Sequence, residues 1–313
     1  MKPDISVIVP VHNSAKFLAE CLTSIQRQTF QNIEIICVND GSSDNSGQIL
    51  KEYAKKDKRI KIKTTESYGV GNARNVGLDL ASGPYIFFMD SDDVLHHKAL
   101  SHLMQMARQT NADIVCAKYK QVANPSMKDE KALTGAFSVE SKPIYCFGQR
   151  PAKTPVTVWN KLFKKEVIGN IRFLPKVYYE DTAFTLEVFA KAQSCVLSPD
   201  ITYLYRTGNH SIMRSRNTEQ KINDFCQVLN RVDQSLKNQP AAHKLIFSTY
   251  LNPELLGLLS FKFGLSRHLR KYMQDHIRPI AKQVQKTSPS IHITQMGKTR
   301  LLFQILKNTI CKR

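Results

Sequence analysis

Residues 5–11, Ile-Ser-Val-Ile-Val-Pro-Val, are apolar almost without interruption, the pattern of a strand buried on both faces of a sheet. From residue 15 the period changes. Phe17, Leu18, Cys21, Leu22 and Ile25 recur at helical spacing and predict a helix over 15–28 with one apolar face. The alternation then repeats. Residues 33–38 predict a second strand, 46–56 a helix, 60–64 a third strand and 72–81 a helix stopped by Gly83-Pro84. Tyr85-Ile86-Phe87-Phe88-Met89 predicts a fourth strand, and Val94 to Leu100 carries a helical pattern directly after it. Strands and helices alternating at short spacing through residue 110 predict βαβ units around a mainly parallel, Rossmann-like sheet flanked by helices.

Beyond residue 112 the pattern weakens. Ala112 to Tyr119 reads as a strand and 123–135 as an irregular loop. Trp159, Leu162, Phe163, Val167 and Ile168 give 156–168 an apolar helical face. A further helix is expected from Thr182 to Ala192, opened by Glu180-Asp181, then one or two strands over 195–206. After about Ser215 the pattern is helical throughout. The expected organisation is an α/β domain over 1–215, with halves at about 1–110 and 111–215, and a C-terminal helical extension over 216–313.

Chemistry concentrates where strands end. Asp90-Ser91-Asp92-Asp93 follows a buried strand and crowds three carboxylates. Their mutual repulsion and desolvation are relieved by a divalent cation, and hard oxygen ligands suit Mg²⁺ or Mn²⁺. The plainer alternative is a helix N-terminus, where Asp is favoured as cap and dipole partner. Asp40 closes the second strand and precedes Gly41-Ser42-Ser43. It is suited to accept from a base N–H or a ribose hydroxyl, or simply to cap its own turn. Gly69-Val70-Gly71-Asn72-Ala73-Arg74 is a glycine-bearing turn into a helix, with unpaired amides for phosphate and a guanidinium for a carboxylate or phosphate. Glu180-Asp181 offers a general base, or favourable charge in a first helical turn. Arg206, His210 and Ser211 supply donors suited to a diphosphate. His96-His97 read as helix surface. In parallel sheets, ligands bind at the carboxyl ends of strands. Asp40, the 69–74 turn and the Asp90 tetrad are therefore expected to line one crevice.

Net charge alters the picture at the C-terminus. Of the formal +19, residues 255–313 carry +11, with twelve Lys or Arg and one acid, Asp275. Apolar stretches at Leu255 to Phe261 and Arg300 to Lys307 are interleaved with cations. Such segments fit an anionic membrane surface, with packing on the protein as the alternative. No apolar run approaches the roughly 18 residues that cross a bilayer. The five small or apolar residues before Pro10 are too few for a secretory signal. Seven scattered cysteines without a Cys-x-x-Cys pair fit buried thiols in a reducing compartment and argue against a zinc site. The expectation is a cytoplasmic chain, peripheral on the inner face of the membrane through its basic tail. No nucleic-acid motif accompanies the charge, so no nucleic-acid partner is expected.

Six stretches in order carry a resemblance. They are Val7-Ile-Val-Pro-Val-His-Asn13, Val38-Asn-Asp-Gly-Ser-Ser-Asp44, Gly69-Val-Gly-Asn-Ala-Arg-Asn75, Phe88-Met-Asp-Ser-Asp-Asp93, Val158-Trp-Asn-Lys-Leu162 and Glu180-Asp181. Residues 4–215 resemble the family-2 inverting glycosyltransferases of GT-A fold. The resemblance implies a nucleotide-sugar donor, most often a UDP-sugar, a saccharide or lipid-linked acceptor, and Mn²⁺ or Mg²⁺. It makes residues 1–110 the nucleotide-binding half and 111–215 the acceptor half. It implies that Pro10, Val11 and Asn13 border the base and ribose, that Asp40 reads uracil and that Arg74 supports the donor pocket. Asp90 and Ser91 would lie near ribose and diphosphate, Asp92 would hold the metal, and Arg206 and Ser211 would meet the diphosphate. Trp159, Asn160 and Glu180 would face the acceptor, and Asp181 would be the base. His12 stands where the family commonly has Tyr, and Gly71-Asn72 departs from the usual pair before Ala-Arg-Asn. A sugar-nucleotide nucleotidyltransferase is the alternative enzyme, but the basic glycine-rich N-terminal loop of that class is missing from Pro10-Val11-His12-Asn13.

Overall fold

β1 (Ile5–Val11), β2 (Ile33–Asp40), β3 (Ile60–Thr65) and β4 (Tyr85–Phe88) form a parallel unit in the order β3-β2-β1-β4. The computed structural model describes residues 2–125, 144–145, 155–207 and 218–236. Register is tight: Val9 faces Cys37, and Ile8 faces both Ile36 and Phe88. The crossovers are α1 (Ala15–Gln26), α2 (Ser46–Lys56) and α3 (Val70–Leu80). These elements fall close to the expected bounds, because strands buried on both faces, as β1, β2 and most of β4 are, and helices with one apolar stripe have different periods.

The second half departs from the parallel pattern. β5 (Val94–Leu95), α4 (Ala99–Thr110), β6 (Ile114–Val122), β7 (Ile144–Tyr145), β8 (Lys161–Lys164) and β9 (Ser194–Arg206) extend the sheet as β4-β8-β6-β9-β5, with β7 also on β9. β8 is antiparallel to both β4 and β6, while β6 and β9 are parallel. The sheet is therefore mixed. The helix expected over 156–168 is instead β8 followed by the single turn α5 (Lys165–Ile168). Asn160, at a left-handed φ of 58°, breaks any helix there, and pairing on both edges makes the next four residues a strand. The helix expected from Val94 is likewise a strand pair with β9, and α4 starts only at Ala99. His96 is buried in the connection rather than on a helix surface.

Helices cover both faces. Leu18, Leu22, Leu50, Leu100 and Leu103 from α1, α2 and α4 pack with Val7, Val9, Ile35 and Phe87. On the other face, Ala73 and Leu78 of α3 and Phe184 and Val188 of α6 (Glu180–Lys191) pack with Ile8, Ile36 and Phe88. Phe88 meets Phe173, Phe184 and Phe163 edge-on at 5.3, 5.6 and 6.1 Å, fixing α6 beneath β4. α3 lies against β1 so closely that a Cβ on Gly77 would overlap the Ile8 side chain. Gly77→Ala is expected to destabilise the chain by about 1–3 kcal/mol through overpacking, read as a lower urea midpoint with unchanged slope. A midpoint equal to the parent's would refute that close packing.

By compactness the chain divides into Met1–Arg216 and Asn217–Arg313. Of the second unit, α7 (Thr218–Leu236) is described, with Phe225, Val228, Val232 and Leu236 buried at helical spacing. The segments 255–261 and 300–307 lie outside the described residues. Among the described residues no helix is long and apolar enough to cross a membrane. Among the described residues, Cys21, Cys37, Cys116 and Cys195 are buried and joined by no disulfide.

Candidate active site

Parallel pairing brings the carboxyl ends of β1, β2 and β4 side by side. β1 carries the buried Pro10 and Val11 to this edge and is followed by His12 and Asn13. Asn13 has a left-handed φ of 48°, which turns its side chain toward the loop after β2. Its Oδ1 accepts from the backbone N–H of Ser43 at 2.8 Å and of Asp44 at 3.4 Å. His12 Nδ1 donates to the Asp40 carbonyl at 2.7 Å, leaving Nε2 to accept from Asn13 Nδ2 at 3.3 Å.

Asp40 is buried, and its carboxylate holds the loop ahead of α3. Oδ1 accepts from Thr65 Oγ1 and the Tyr68 N–H at 3.0 Å, and Oδ2 accepts from the Gly69 N–H at 2.7 Å. Gly69 adopts φ 89°, a conformation that favours glycine. Three donors leave this carboxylate room for one more.

The three carboxylates after β4 have three different environments. Asp90 accepts from Arg74 Nη2 at 2.9 Å. Asp93 is buried and accepts from the Tyr203 hydroxyl at 2.6 Å and the Arg206 N–H at 2.7 Å. Burial, and then the charges of Asp92 and Asp90, push its pKa well up. The Asp92 carboxylate alone of the three receives no hydrogen bond or ion pair from another residue's side chain or backbone N–H among the described residues. Burial, and then Asp90, raise its pKa to about 6. The crowding expected from sequence is thus divided: one carboxylate is paired with a cation, one is anchored inside, and one is open. α4 begins too far downstream for the tetrad to be a helix cap. Among the described residues no group of three or more His, Cys, Asp or Glu side chains is placed to hold an ion.

Arg206 closes the other side of this loop. Its Nε donates to the Asp92 carbonyl at 2.6 Å, and Nη2 pairs with Glu20 at 3.1 Å. The guanidinium also lies 4.1 Å from the Phe17 ring centre. It therefore holds the Asp92 peptide rather than projecting freely. Ser91 Oγ lies 2.6 Å from Ser14 Oγ, tying the loop to the start of α1. Ser211 and His210 lie outside the described residues.

Asp90 and Glu180 sit on opposite hands of one guanidinium, since Arg74 Nη1 donates to Glu180 Oε1 at 2.5 Å. Burial alone would lower the Arg74 pKa, but the carboxylates of Asp90, Glu180 and Asp181 hold it above the ordinary value. Asp181 follows at the first turn of α6 and is partly exposed. Its pKa is raised to about 7 by burial first and the Glu180 charge second, against the lowering effect of Arg74.

Trp159 and Asn160 are placed in the core instead of on a cleft. Trp159 stacks on the rings of Tyr203 and Tyr205, at 4.8 and 5.1 Å. Asn160 is 0% exposed, donating to the Ala117 carbonyl at 2.5 Å and accepting from Lys161 Nζ at 3.1 Å. Sequence reasoning missed Tyr203, whose hydroxyl donates to Asp93 and accepts from the Asp90 N–H at 3.2 Å. The alternation Tyr203-Leu204-Tyr205-Arg206 was the available signal, since it puts both rings on one face.

Residues 6–169 match the family model described as Glycosyl transferase family 2. Glycosyltransferase GlyG of Streptococcus pneumoniae is 33% identical over 72% of this chain and 78% of its own length. The uncharacterized glycosyltransferase EpsJ of Bacillus subtilis is 34% identical over 68% of this chain and 63% of its own. The crystal structure of S. aureus TarS 1-349 in complex with UDP superposes with a TM-score of 0.74 at 22% identity, covering 99% of this chain and 90% of that one. TarS has also been solved with UDP-GlcNAc.

Proposed function

Because the chain belongs to glycosyl transferase family 2 and has the GT-A fold, we propose that it moves a sugar from a nucleoside-diphosphate donor to a hydroxyl of a saccharide or lipid-linked acceptor in cell-surface polysaccharide synthesis. The supporting observation is the Arg74 bridge, which sets Asp90 and Glu180, and hence the neighbours Asp92 and Asp181, around one guanidinium. The donor is a UDP-sugar, the sugar nucleotide bound by the neighbour TarS. Its base lies along the edge formed by Pro10, Val11, Asn13 and Asp40, and its diphosphate near Ser91 and Asp92.

Asp181 accepts the proton of the acceptor hydroxyl. A carboxylate with its pKa raised to about 7 is a stronger base than an ordinary one and is still substantially ionised near neutrality. The acceptor oxygen attacks opposite the leaving group, so one displacement inverts the anomeric configuration. Glu180 is buried against Arg74 and positions this end of α6. The open carboxylate of Asp92 fits a hard cation, Mn²⁺ or Mg²⁺, held by few protein ligands. When bound, such an ion supplies positive charge against the departing diphosphate.

The test is a screen of sugar nucleotides for nucleoside diphosphate release across saccharide and lipid-linked acceptors. Chelation is expected to lower turnover by about 10²-fold or more, with recovery on adding Mn²⁺. Full turnover in the chelated, metal-free enzyme would remove the cation from the proposal, and no release from any sugar nucleotide would remove the transferase reading. Association with anionic membrane through residues 255–313 belongs to the same proposal, and retention on neutral vesicles equal to that on anionic ones would end it.

A further inference from the structure

We propose that Arg74 is the positioning residue that joins the proton-accepting end of α6 to the loop bearing Asp92, by spanning Glu180 and Asp90 with one guanidinium. Three segments distant in sequence meet here: α3, the loop after β4, and α6. Arg74 is 4% exposed, and its two terminal nitrogens reach Glu180 at 2.5 Å and Asp90 at 2.9 Å. Among the described residues, its Nε is buried without a hydrogen-bond partner. The fork is thus aligned on two carboxylates at the expense of its third donor. The guanidinium lies 5.4 Å from the Phe173 ring centre, and Phe173 stacks on Phe184 of α6 at 3.9 Å. One turn earlier, a Cβ on Gly71 would overlap the Leu174 carbonyl and come within 3.3 Å of Glu180 Cγ. Glycine there lets α3 approach close enough for the bridge to form.

The bridge also governs the proton. The charged groups facing Asp181 are Glu180 on its own helix, Arg74 from α3 and Asp90 from the loop after β4. Arg74 is the cation in that set and favours the ionised, proton-accepting form. Lysine presents a point charge and cannot span two carboxylates as a planar fork does.

The kinetic consequence rests on the transferase reading, but the bridge itself does not. The experiment uses the full chain with Arg74→Gln, Arg74→Lys and Glu180→Gln. The titration midpoint of Asp181 is read by carboxyl NMR, assigned from its loss in Asp181→Asn. UDP binding is read by calorimetry, and turnover by diphosphate release. In Arg74→Gln the midpoint is expected to rise by about one unit or more, with turnover falling about 10–10²-fold and UDP affinity retained. In Glu180→Gln the midpoint is expected to fall while turnover also falls, because the base is no longer held. Arg74→Lys is expected to keep the midpoint near the parent's without restoring turnover. Midpoints unmoved in Arg74→Gln and Glu180→Gln, or turnover restored by Lys, overturn the proposal. If Arg74→Gln fails to fold by circular dichroism, Glu180→Gln decides alone. A parent chain that releases no diphosphate defeats the transferase reading, whereas the NMR midpoints still judge the bridge.

Discussion

Asp181→Asn is expected to lower sugar transfer by about 10²–10⁴-fold, the usual contribution of a general base, while UDP affinity stays at the parent's value. The dependence on pH carries the diagnosis. In the parent, the Asp181 pKa is raised to about 7, chiefly by burial, so turnover is expected to climb as pH rises through that value. The residual rate of the variant lacks this limb. Stability moves the opposite way. A carboxyl whose folded-state pKa lies above its unfolded value contributes stability that is fully present below about pH 4 and is lost as pH rises through about 7. Asp181→Asn is therefore expected to melt on the order of 2–4 °C above the parent at pH 8, with the difference closing toward pH 4. Turnover within a few-fold of the parent, or a limb that persists in the variant, would show that another group takes the proton.

Glu34→Gln is expected to destabilise the chain by about 2–3 kcal/mol at pH 7 without altering the chemistry. Glu34 lies in β2, 3% exposed, at the opposite end of the strands from Asp40. Its Oε1 accepts from Ser6 Oγ at 2.6 Å, from the Ser82 N–H at 2.7 Å and hydroxyl at 2.8 Å, and from the Gly83 N–H at 3.2 Å. Lys61 Nζ donates to Oε2 at 2.6 Å. Burial alone would raise its pKa, but Lys61, Ser6 and Ser82 together bring it down to about 2. A depressed carboxylate contributes stability above its unfolded pKa and loses it as pH falls through the folded one. The gap between parent and variant should therefore hold constant above about pH 5 and narrow from there toward pH 2. Urea midpoints at pH 7 and pH 3 check this. A gap below about 1 kcal/mol at pH 7, or one that persists undiminished at pH 3, would mean that the network adds nothing beyond packing.

The strands β1, β2 and β4 and the first three helices were legible because each keeps one pattern along its length, buried throughout or nearly so, or striped on one face. Ile5 to Val11 is buried throughout, and Leu18, Leu22 and Ile25 share one stripe. β8 was not legible. Leu162 and Phe163, followed by Val167 and Ile168, mimic a helical period. In fact the first pair belongs to a four-residue strand held from both sides and the second to a separate turn. Such a strand shows neither alternation nor length. At the site, residue types could be read but not their partners. Asp90, Asp92 and Asp93 look alike in sequence, and Arg74, Tyr203 and Arg206 distinguish them only through tertiary contacts. The same holds for Trp159 and Asn160, whose burial follows from their place beside β8.

The antiparallel insertion of β8 bears on how the chain comes off the ribosome. A nascent chain that has emerged only through β4 carries Tyr85–Phe88 with one side unpaired, and its partner Lys161–Lys164 has yet to be made. Until then that strand is an apolar, adhesive margin. A fragment cut near residue 110 keeps it so for good, and is expected to precipitate or to need a chaperone, whereas one ending beyond β9 supplies its own closure.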